Sequence, residues 1–206
     1  MKMRKAIKKL FKPFSIPIID EKGFTIVEMG IVLAIIGIII GGAILKGPAL
    51  IASAKNKNLV NQDQTLTAAI YGYQEKYGFF PGDDSAATTN LAGTGYTVTN
   101  GNGNGQIGVG AESFAANVHL VAAGLIKGSY NGTSDYIKHG YGGNVLINYQ
   151  TLQGKMGNLI RFDSLSAENA KYIDSATDDG VYNTGSCRAS ADYTAGTIIT
   201  NLGCFF

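Results

Sequence analysis

Charge is scarce in this chain of 206 residues: Asp, Glu, Lys and Arg together make up 16% of it. Glycine, at 28 residues, is abundant instead, alongside many Asn, Ser and Thr. A surface so poor in charge does not suit a cytosolic enzyme; it suits a secreted or assembling protein. Histidine is almost as rare, with only His119 and His139, and neither has a triad or metal partner nearby in sequence. The sequence therefore offers no catalytic residues, no nucleophile motif, no metal site and no cofactor site, and an enzyme is not expected. Cysteine occurs twice, as Cys187 and Cys204. A lone pair falls short of the roughly four ligands of a structural zinc site. In an exported protein the pair reads as one disulfide, with two free buried thiols as the alternative.

The little charge present is unevenly placed. Residues 1–23 hold seven bases against Asp20 and Glu21, a net +5, while the remainder is net −3. A basic flank before an apolar run keeps that flank on the cytoplasmic side of a membrane. Nucleic-acid binding is the competing use of such a cluster, but the acidic remainder argues against it, and no nucleic-acid site is identified.

Residues 24–45 form that apolar run, polar only at Thr25 and Glu28. About 20 apolar residues cross a bilayer as a helix, so the length fits a membrane span. A secretory signal peptide is one alternative, with Ala52-Ser53-Ala54 as its small-residue cut. Its apolar part, however, is only about 7–15 residues long and ends near the cleavage site. A plain anchor has no use for Glu28, whose insertion costs on the order of 2.5–3.5 kcal/mol near a span's centre and less near its end, and a buried core helix is disfavoured by the basic flank and the length. A cut between Gly23 and Phe24 gives Phe24 a cationic amine four residues before Glu28. That amine is a partner for the carboxylate, in the same subunit or in a neighbour.

Lys22-Gly23-Phe24-Thr25-Ile26-Val27-Glu28, followed by the apolar run, resembles the prepilin cleavage and methylation motif of type IV pilins and pseudopilins. The resemblance implies that a prepilin peptidase cuts after Gly23 and N-methylates Phe24, and that Glu28 serves assembly by pairing with a neighbour's N-terminus. It also implies a pilin-like α+β fold: a long N-terminal helix, its first half transmembrane, packed on a small antiparallel sheet with a C-terminal disulfide loop. The expected division is a leader at 1–23, a membrane or filament-core half-helix at 24–50 and a globular head at 51–206. Cys187 and Cys204 lie where pilins close that loop, and major pseudopilins usually lack the bond.

The leading reading is thus the structural subunit of a type IV pilus-like filament for adhesion, motility or DNA uptake. A pseudopilin of a type II secretion system, or a minor pilin, is the alternative. The partners implied are identical subunits, the prepilin peptidase and an inner-membrane assembly machinery. The location implied is the inner membrane first and the cell-surface filament afterwards.

Further along, Leu59, Leu66, Ile70, Tyr73 and Tyr77 share one face of a continuing helix, with residues 55–64 polar on its other sides. If helical from 24 to 77, it is about 80 Å long at 1.5 Å per residue. Pro48, with Gly41, Gly42 and Gly47, predicts a bend or loosening, and Gly78 with Pro81-Gly82 predicts the end. Residues 79–110 read as loop. The Asn-Gly run at 100–105 has neither the Lys-Ser/Thr of a phosphate loop nor carboxylates for calcium, and reads as surface turns. A short helix is expected at 112–123, capped by Gly124, and another at 165–173, capped at Ser166. Strands are expected at 145–150, 158–163 and 193–202. Asp178-Asp179-Gly180 reads as a turn, or as half of a calcium site with Asp174 or with Asp83 and Asp84; no metal is assigned.

Overall fold

The computed structural model describes residues 23–206; most of the expected leader, residues 1–22, lies outside them. The first helix, α1 (Ile26–Tyr77), runs for 52 residues with Pro48 inside it. Pro48 thus lies within the helix and does not end it. The chain divides into two compact units, one up to Gly47 and the other from Pro48 to Phe206, and each is taken in turn.

The first unit is the apolar part of α1. Its start is fixed locally by Thr25, the residue before the helix, whose carbonyl accepts from Met29 N at 3.1 Å. Isoleucine, valine and leucine continue the run, and their side chains are exposed: Ile26 is 91% exposed and Phe24 79%. By length and composition, this is a helix that can cross a membrane.

In the second unit α1 becomes amphipathic. Leu59, Leu66, Ile70 and Tyr73 are buried together with β-sheet residues, and Tyr77 packs against the same core. Each such side chain contributes roughly 1.5–3 kcal/mol when fully buried. Gly78, at φ 80, ends the helix in the left-handed conformation, its N–H donating to Gln74 O at 2.8 Å.

Beyond it come α2 (Ala87–Asn90), α3 (Ala111–Ala122), β1 (Ile137–Lys138), β2 (Asn144–Leu152), β3 (Lys155–Ser166), α4 (Ala167–Thr177), β4 (Cys187–Ala189) and β5 (Ile198–Phe205). The five strands form one antiparallel sheet in the order β1-β2-β3-β5-β4. The fold is a long helix, apolar at its start, packed on a small antiparallel sheet.

Val145, Ile147, Ile160, Phe162, Leu202 and Cys204 give the sheet its share of the core. Ser164, at φ 59, turns β3 so that Leu165 takes over from Phe162 on the core side, and Ile199 opposite it does the same in β5. In β2 the four successive residues 145–148 are all buried, which hides the alternation of a half-exposed strand. The fifth strand begins at Ile198 and not at 193, because 194–197 close a turn through Thr197 N to Thr194 O at 3.1 Å.

The expected caps of α4 and α3 are both in place. The Ser166 hydroxyl accepts from Asn169 N at 3.3 Å at the start of α4. Gly124, at φ 74, closes α3 with its N–H on Val121 O at 2.9 Å.

Candidate functional site

The junction at residues 23–29 is small and self-contained. Gly23, Phe24 and Thr25 precede the helix and are exposed, and space around Gly23 is open. Glu28 sits in the first turn, where the positive end of the helix dipole favours a carboxylate. Its Oε2 accepts from Thr25 N at 2.9 Å and from Thr25 Oγ1 at 2.8 Å, while Glu28 N donates to Thr25 Oγ1 at 3.2 Å. This reciprocal pattern is a capping box, which satisfies two of the backbone donors that a helix start leaves open. Glu28 therefore has a partner within its own chain before any other subunit is considered. Thr-x-x-Glu ahead of an apolar run is the sequence signal of this cap, a role for Thr25 that its place as a polar residue in the run does not by itself display. Both Thr25 donors converge on Oε2, so Oε1 is left for a further donor.

In the head, the two cysteines are joined. Cys187 of β4 and Cys204 of β5 are directly opposed and form a disulfide. No cysteine is free.

The two histidines are structural spacers. His119 of α3 is buried; its Nδ1 accepts from Gly82 N at 2.9 Å, and its Nε2 lies 2.9 Å from Thr99 O. The ring thus ties two points of the 79–110 segment, Gly82 and Thr99, to α3. Burial holds its pKa below the usual histidine value, with the Thr99 contact opposing. His139 caps the tight turn before β2, with Tyr141 N at 3.2 Å from its Nδ1 and Asp163 O at 2.8 Å from its Nε2.

In the 79–110 segment the Asn-Gly run is largely exposed, as expected of surface turns, but the stretch ahead of it is not. Pro81, Gly82, Asp83 and Asp84 are buried. The Asp83 carboxylate accepts from Gly103 N at 2.8 Å, Asn104 N at 3.0 Å and Gly105 N at 2.7 Å. The Asn-Gly run does form a cradle of backbone N–H groups, the arrangement that binds anions elsewhere. Here the chain's own Asp83 fills it. Gly101 allows the close approach, since a Cβ there would lie 2.3 Å from Gly82 O. Asp84 anchors the other side, accepting from Tyr73 Oη at 2.8 Å and Asn90 Nδ2 at 2.8 Å.

Of the acidic residues considered for calcium, Asp174, Asp178 and Asp179 come together, with ligand atoms within 4.8 Å of one another. Asp83 and Asp84 do not join them. All three are engaged in turn geometry: Asp174 with Tyr193 Oη at 2.7 Å and Gly180 N at 3.2 Å, Asp178 with Cys187 N at 3.1 Å, and Asp179 with Thr184 Oγ1 at 2.6 Å.

Asp63 was expected on the polar side of α1 and is instead 3% exposed. It stands four residues from Leu59 and three before Leu66, on the buried face. Burial raises its pKa to about 6.

Residues 20–44 match the family model of the prokaryotic N-terminal methylation motif, the signal of type IV pilins and pseudopilins. No curated protein and no solved structure matches the chain. The matched residues span the junction and the apolar helix, and the described part of them is where exposed apolar side chains are concentrated.

Proposed function

We propose that this chain is a pilin, the structural subunit of a type IV pilus-like extracellular filament. The observation that carries this reading is a coincidence of place. The methylation motif at 20–44 overlies the stretch of α1 whose apolar side chains are exposed, so that the processing signal and the unpartnered surface are one element.

The steps follow from the residues. The basic leader, 1–23, and the apolar half-helix, 24–50, hold the precursor in the inner membrane, with the head, 51–206, outside the cytoplasm. Prepilin peptidase cuts after Gly23 and methylates the new amine of Phe24. Glu28, held at the helix start by Thr25, presents Oε1 to the Phe24 amine of an adjacent subunit. A carboxylate in hydrocarbon is a liability of a few kcal/mol, and the pairing relieves it only when subunits are in register. The apolar half-helices then bury one another in the filament core, and the disulfide-closed head coats the surface. The Cys187–Cys204 bond favours a pilin over a major pseudopilin.

Intact-mass analysis of the chain from its native cell tests the reading. We expect a chain beginning at Phe24, one methyl group heavier than its sequence and lacking two hydrogens at the cysteines. A mature N-terminus at Lys55 would return the apolar run to a secretory signal.

A further inference from the structure

Among the described residues, Asp63 is the buried carboxylate with an oxygen that no donor reaches: Oδ1 is sealed from solvent and unpaired. It lines a cavity of about 420 Å³ between α1 and the C-terminal strands. Thr67, Thr177 and Ser186 add hydroxyl-bearing side chains to the wall, and no lining residue is basic. Tyr71 and Phe206 also line it, their rings edge-to-face at 6.1 Å.

These parts suit one kind of occupant. Aromatic and apolar walls accept the methylene stem of a long cationic side chain, and rings attract its charge. A carboxylate at the wall then meets the charged head with a charge-assisted hydrogen bond. A calcium ion is a poorer match, because it takes about 6–8 oxygens and Asp63 is the only carboxylate side chain on the wall. Complementary charge is available on this same chain. Lys57, Lys127 and Lys171 are exposed, and the only salt bridge among the described residues is Arg161–Asp163.

We propose that this cavity receives a lysine side chain from a second copy of the chain, whose cation pairs with Asp63. The proposal rests on the filament reading above: subunits assembled through α1 lie beside identical copies, and α1 supplies one wall of the cavity. It adds a contact between heads, separate from Glu28, that checks whether a neighbour is in register.

Filaments grown from a mixture of ordinary and isotope-labelled chains, treated with a zero-length carbodiimide and mapped by mass spectrometry, test it. The expected product joins Asp63 of one chain to a lysine of another. Asp63→Asn should lower filament yield at least about tenfold, while cleavage at Gly23 and the disulfide persist. Asp63→Lys should abolish filaments, and changing the cross-linked lysine to Asp should restore them. Wild-type yield from Asp63→Asn overturns the proposal. So does a filament whose Asp63 cross-links only within its own chain. A yield that depends on added calcium or sodium, lost in Asp63→Asn without any cross-link between copies, assigns the cavity to a free ion and also overturns it. If filaments form and need Glu28 but ignore Asp63, only this proposal fails; if the wild-type chain forms none, the filament reading fails with it.

Discussion

Between residues 24 and 44 the apolar side chains of α1 are exposed almost without exception, whereas Leu59, Leu66, Ile70 and Tyr73 of the same helix are buried in the head's core. Both stretches are helical, and both are rich in aliphatic residues. What separates them is where the apolar residues fall. In the first they surround the helix, so no single packed face can satisfy them, and lipid or many copies must. In the second they recur at helical spacing, and one sheet suffices. The polar residues divide in the same way. Glu28 is secured by its neighbour Thr25, three residues away, while Asp83 is secured by amides some twenty residues along the chain. The first unit is organised by local sequence, and the second by tertiary contacts.

Four substitutions press on that contrast. The largest effect is expected from Glu28→Val, which should leave the chain cleaved and membrane-inserted but without filaments by electron microscopy. Normal filaments would mean that the acid serves only the helix start. Asp83→Ala, by contrast, acts on the head alone. It removes the charged acceptor shared by the Gly103, Asn104 and Gly105 amides, a loss of roughly 1.5–3 kcal/mol, and should lower the unfolding midpoint of the full chain in detergent while leaving cleavage at Gly23 untouched.

A comparable effect is expected at Asp63, with a defined pH dependence. Its folded pKa of about 6 lies above the ordinary aspartate value of 3.8, so the folded state holds its proton more tightly. Stability from this group is complete below pH 3.8, declines as pH rises toward 6, and stays low above. At pH 7 the deficit is about 3 kcal/mol. Asp63→Asn should therefore stabilise unassembled subunits at pH 7 and change little at pH 3.5, as read from chemical denaturation. An unchanged curve at pH 7 would mean that the carboxylate is solvated. The smallest change is Thr25→Ala, which removes the cap hydroxyl at about 1 kcal/mol. Filament yield should fall modestly, because Glu28 keeps its place in the first turn; a loss as deep as that of Glu28→Val would make the cap itself the assembly determinant.

The same contrast explains what could be read in advance. The junction, the apolar run, the helix face from Leu59 to Tyr73 and the caps at Ser166 and Gly124 are all set by neighbours within a few residues, and the sequence displays them. The edge strands β1 and β4 have two and three residues, too few for any periodicity to register. Asp83 and the Asn-Gly run look like separate turn signals until folding brings them together across some twenty positions. Asp63, a carboxylate amid Asn and Gln, reads as solvent-facing, although its spacing from Leu59 and Leu66 places it inside.

Those short edge strands carry a consequence of their own. A sheet exposed at its rim invites strand addition from another molecule, and the danger grows where identical chains are crowded together. Here both rims are blunted. The unpaired edge of β2 gives Tyr149 N to Ile107 O at 2.6 Å, and the outer edge of β4 gives Ala189 N to Tyr182 O at 2.7 Å. Uncontrolled polymerisation through the sheet is thereby discouraged; in the filament proposed above, ordered growth would be left to the helix.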